Sequence, residues 1–86
     1  MPMTKVMTGN LRNRLELLFA QNNLACACDV MEGLTGWTVL VQAIVPEEFQ
    51  GAIHSYLNLL GFPVSEVHMA WFPNRRTVIQ LRRSQA

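Results

Sequence analysis

From Leu11 onward, apolar residues fall at Leu11, Leu15, Leu18 and Phe19, the i, i+4, i+7, i+8 spacing of one helical stripe, with Arg12, Asn13, Glu16 and Asn23 off it. Thr8 or Asn10 can serve as N-cap, and Asn22 and Asn23 tolerate the left-handed conformation in which helices stop. The pattern predicts a first helix over 10–22, preceded by a flexible tail over 1–9. Residues 24–32 then change to a period of two, with Leu24, Cys26, Cys28 and Val30 on one parity and Ala25, Ala27, Asp29 and Met31 on the other. That is a strand, and the glycine-bearing stretch 32–36 is a hairpin turn after it.

Residues 37–45 are apolar at both parities and rich in β-branched types: Trp37, Val39, Val41, Ala43 and Val45 on one face, Leu40 and Ile44 on the other. Such a run reads as the central strand, ended by Pro46, which has no N–H to give a ladder. Glu47 and Glu48 suit a helix amino end, Phe49, Ile53, Tyr56, Leu57 and Leu60 form its stripe, and Gly61 followed by Pro63 closes it. The second helix is expected over 47–60. Alternation returns over 64–72, with Val67, Met69 and Trp71 against Glu66, His68 and Ala70; Pro73 and Asn74 turn the chain, and 77–83 forms a last strand before a frayed end at 84–86.

The order is therefore α-β-β-α-β-β in one α+β domain over 10–83. The halves align in pattern at an offset of 38 residues, Leu11 on Phe49 and Met31 on Met69. Two such units in line predict a four-stranded, mainly antiparallel sheet with both helices packed on one face. Moving the last strand to the front gives βαββαβ, so a circularly permuted ferredoxin-like topology is expected. Strands 37–45 and 77–83 would lie in the centre, parallel to each other, and 24–32 and 64–72 at the edges. The rival is a meander-like sheet in which the hairpins meet along other strands.

Composition sharpens this picture at one point. Hydrophobic residues make up 50% of the 86 and charged residues only 15%, against about a quarter charged in typical domains. A chain so apolar is expected to cover more surface than one core requires, and a homodimer does so most simply. Leu40, Ile44 and Val78, on the parity opposite Val39, Val41 and Ile79, are the expected interface. The net charge of +1 supplies no global field for nucleic acid or an anionic membrane, and no apolar run reaches the length of a bilayer span. The amino end lacks a secretory signal pattern, and two cysteines make no disulfide framework, so a cytoplasmic protein without a membrane partner is expected.

Candidate chemistry is sparse. Cys26 and Cys28, with His54 and His68, are metal-ligand types, but Cys-x-Cys without a second pair reads as small buried hydrophobes. No phosphate loop, nucleophile elbow or His-Glu-x-x-His is present, so no catalytic residue, metal or cofactor is assigned and no enzyme activity is expected. The one asymmetric feature is carboxyl-terminal: Arg75, Arg76, Arg82 and Arg83, four of the seven basic residues, lie near Trp71 and Phe72. Arginines clamp phosphates and aromatics stack on bases, so Trp71, Arg75, Arg76, Arg82 and Arg83 form an alternative nucleic-acid surface. The plainer reading keeps those arginines as solvated edge residues with Trp71 in the core. A small ligand-binding protein is the third possibility. Protein–protein interaction, beginning with self-association, is the function these residues favour.

Overall fold

The computed structural model describes the backbone of residues 2–84 and the side chains of 9–84. Helix α1 spans Pro2–Gln21, strands β1 and β2 span Cys28–Glu32 and Gly36–Val41, helix α2 spans Phe49–Leu59, and β3 and β4 span Val64–Phe72 and Arg76–Arg83. The strands form one antiparallel sheet in the order β1-β2-β4-β3.

Both helices cover one face. Leu11, Leu15, Leu18 and Phe19 of α1 and Ile53 and Leu57 of α2 share a single core with Trp37, Val39, Val41, Ile79 and Leu81 of the central strands and with Val67 of β3. Phe19 and Phe49 join the helices with ring centroids 6.2 Å apart. The α+β class, the element order and the edge positions of β1 and β3 are as the pattern predicts. The strand order is also the one that the permutation requires, with β4 inserted between β2 and β3.

The directions of the central strands differ from expectation: β2 and β4 are antiparallel, not parallel. Helix α2 carries the chain from β2 to β3, and β4 then folds back from the Pro73–Arg75 turn into the gap. The crossover is thus a split β-α-β unit whose outer strands run the same way and whose inserted strand opposes both.

Several element ends depart from the pattern, and at β2 a distant partner decides the end. Helix α1 begins at Pro2 and not at Asn10, so residues 2–9 are helical where a tail was expected; proline is well accommodated in a first helical turn, where its missing N–H is not needed. Strand β1 begins at Cys28, although Leu24 and Cys26 still pack against the core. Strand β2 ends at Val41, four residues before Val45, because the Thr77 hydroxyl takes over from the ladder: it donates to the Ala43 carbonyl (2.7 Å) and accepts from the Val45 N–H (2.9 Å). Helix α2 starts at Phe49, with Glu47 and Glu48 in the preceding turn.

The predicted helix stops hold. Asn23 has φ 64° and Leu24 N–H returns to Phe19 O (2.8 Å); Gly61 has φ 91° and Phe62 N–H returns to Leu57 O (2.9 Å). Ser84 N–H bonds Pro63 O at 2.7 Å. The remainder of the expected frayed end, 85–86, lies outside the described residues.

Candidate functional site

The sheet face opposite the helices is open, and antiparallel pairing arranges its side chains in rows. One row runs Asp29, Leu40, Val78, Ala70; the next runs Met31, Thr38, Gln80, His68; beyond it Arg82 faces Glu66. Leu40 retains 39% exposure and Met31 52%. Of the three residues expected on this face, Leu40 and Val78 are cross-strand neighbours at its centre. Ile44 is exposed but lies past the end of β2, off the ladder, because Thr77 has already drawn the chain away.

The end of the face nearest Gly36 is internally paired. Thr38 Oγ1 donates to Gln80 Oε1 (3.1 Å), and His68 Nε2 lies 2.7 Å from Glu66 Oε1. That hydrogen bond, with Arg82 nearby, holds the Glu66 carboxyl below the usual carboxylate range. The other end contains a hollow of about 590 Å³ beneath the β3–β4 turn. Leu40 and Val78 form its apolar floor, Phe72 and Pro73 border it, and Asp29, Gln42, Asn74 and Arg76 supply polar groups. Among the described residues these four side chains make no hydrogen bond or ion pair with the rest of the chain.

The carboxyl-terminal arginines are divided rather than gathered. Arg75, with φ 59°, sits in the turn and Arg76 beside the hollow, while Arg82 lies at the far end of the same face. Arg83 points to the helix side, where its guanidinium covers the Trp37 ring (4.7 Å to the centroid) and pairs with Glu32 (2.6 Å). Among the described residues the buried Trp37 indole N–H has no hydrogen-bond partner. Trp71 is 42% exposed, not in the core; one residue from the carboxyl end of β3, it lies at the sheet's rim and donates to Val45 O at 2.7 Å.

Both sheet edges are blunted by side chains from the helices. Glu16 accepts the Cys28 N–H of β1 (2.8 Å), and Gln50 and Asn58 donate to the Val67 and Val64 carbonyls of β3 (2.6 and 3.0 Å).

The thiols sit under this first edge. Cys28 is buried and Cys26 half-buried. Burial, then the neighbouring Cys26 and the Glu16 carboxylate, pushes the Cys28 thiol up to about 12, and burial raises Cys26 against the hydrogen bond between the two. Thiols so protonated are poor nucleophiles and poor metal ligands. Among the described residues no three His, Cys, Asp or Glu side chains converge as a metal site requires. His54 and His68 are both exposed, on α2 and on the open face.

Asp29, Gln42, Asn74 and Phe72 are the site residues that the sequence reading missed. Strand parity puts Asp29 and Gln42 on Leu40's face, but only the β3–β4 turn brings Phe72 and Asn74 beside them. No described helix is long and apolar enough to cross a membrane. Comparison of the chain with protein-family models, with curated proteins and with solved structures finds no match.

Proposed function

We propose that this chain is a non-enzymatic protein-interaction module whose first partner is a second copy, docked through the open face of the sheet. The observation that carries the reading is the uncovered Leu40–Val78 pair at the centre of a face rimmed by both signs of charge, Asp29 and Glu66 with Arg76 and Arg82. An apolar centre favours covering, and a balanced rim is complementary to itself. The blunted edges favour face over edge as the route of association. Nucleic acid fits less well, because Arg76 and Arg82 stand about 20 Å apart along β4 and Arg83 is engaged with Trp37 and Glu32.

Size sets the strength. Four strands of six or so residues present a face of about 19 by 20 Å, small beside the roughly 800 Å² per partner of a standard interface. The dimer is therefore a weak one, with Kd on the order of 1–100 µM. Sedimentation across that range tests it. The parent should pass from monomer to dimer, Leu40→Glu and Val78→Glu should stay monomeric, and Ile44→Lys, off the ladder, should behave as the parent. A parent that is monomeric at millimolar concentration ends this reading; oligonucleotide binding lost in Arg76→Ala would then favour the nucleic-acid alternative.

A further inference from the structure

The two ends of the open face differ in how their polar groups are used. At the Gly36 end they satisfy one another, Thr38 with Gln80 and His68 with Glu66. At the turn end Asp29, Gln42, Asn74 and Arg76 ring an apolar floor, and among the described residues their side chains bond to nothing in the chain, although they border one hollow. At about 590 Å³ the hollow falls within the roughly 300–1,000 Å³ of small-molecule sites, and it has their usual make-up of an apolar lining with a few converging polar groups.

Its charges are one of each sign on opposite sides. Asp29 pairs with Leu40, Leu40 with Val78, and Arg76 stands two residues before Val78. Two strand spacings and two residues of rise separate the Asp29 and Arg76 Cα atoms by about 12 Å, and the length of the arginine side chain narrows the gap between the charged heads. A purely anionic ligand would meet the Asp29 carboxylate, and a purely cationic one the Arg76 guanidinium. A ligand carrying both charges around an apolar body meets neither conflict.

From this we infer that the hollow binds a small apolar zwitterion, a free amino acid or a short peptide, with its carboxylate on Arg76, its ammonium on Asp29 and its side chain on Leu40, Val78 and Phe72. The guanidinium suits a carboxylate through paired N–H donors. The Gln42 and Asn74 amides can donate or accept beside either head group. This goes beyond self-association and does not depend on it.

The test is titration of dilute, monomeric protein with leucine, phenylalanine and the dipeptide Leu-Leu, followed by backbone amide shifts and calorimetry. Leucinamide and N-acetylleucine, each lacking one charge, are the controls. Saturable shifts at Leu40, Val78 and Phe72 are expected with at least one zwitterion, and the free amino acids and the dipeptide separate the two sources. Arg76→Ala and Asp29→Asn should each weaken binding about tenfold or more, the usual loss for a charge-assisted hydrogen bond. Both positions are exposed, and unchanged melting curves will establish that the variants fold. No saturation at 20 mM by any of the three zwitterions overturns the inference. So does equal binding of the single-charge controls, or binding that either variant leaves unchanged. A failure to dimerise leaves this measurement intact, and absence of binding leaves the dimer test intact.

Discussion

Thr77 is the one polar residue buried among those described, and both of its hydrogen bonds replace ladder bonds that β2 has given up. Replacing it with valine keeps the shape and leaves the Ala43 carbonyl and the Val45 N–H without partners. The expected cost is about 2–3 kcal/mol in urea unfolding, whereas Thr77→Ser, which keeps the hydroxyl, should lose only about 1 kcal/mol of packing. Cys28 gives a second reading at this scale. Its folded thiol, pushed up to about 12, keeps its proton where the unfolded thiol, nearer 9, has lost it. The folded state therefore binds the extra proton between those values, and stability is full below pH 9 and falls as pH rises towards 12. Thermal melts over that range should show the decline, and Cys28→Ala should flatten it relative to the parent.

Among the elements, the β2–β4 pairing depends on Gly36. A Cβ there would overlap the Leu81 carbonyl and crowd the Arg83 N–H, both of them backbone atoms that cannot swing aside. Gly36→Ala should cost about 3 kcal/mol or more, at the severe end for an overpacked site, while Gly51→Ala, with open space at its Cβ on α2, should be stabilising by a few tenths to about 1 kcal/mol. The same contrast explains which elements could be read in the sequence. Asn23 and Gly61 announce helix ends because their own side chains, or lack of one, permit the conformation found there. The end of β2 is set by Thr77, more than thirty residues later, and nothing local to Val41 signals it. Leu40 and Val78 could be placed on the open face from parity alone. Parity also separates Arg82 from Arg83, so the apparent cluster divides as soon as the strand is drawn; the turn at Pro73 and Asn74 was legible too, but only the antiparallel pairing of β4 with β2 brings it, with Phe72, to the Asp29 end of the face.

At the scale of the whole molecule, one layer of helices on one layer of sheet leaves a face to account for, and charge decides between its occupants. A net charge of +1, with the open face's acids and bases balanced, gives almost no long-range field. Association driven by Leu40 and Val78 then owes little to ionic attraction, so raising salt from 0.05 to 0.5 M should change the dimer Kd by no more than about threefold. Binding of a nucleic acid through Arg75, Arg76 and Arg82 would release counterions from as many as three phosphate contacts, and the same change in salt should weaken it by several hundredfold. Sedimentation and oligonucleotide titration at the two salt concentrations separate the models. A dimer that dissociates steeply as salt rises would mean that cross-copy pairs such as Asp29 with Arg76, and not the apolar centre, hold the face closed.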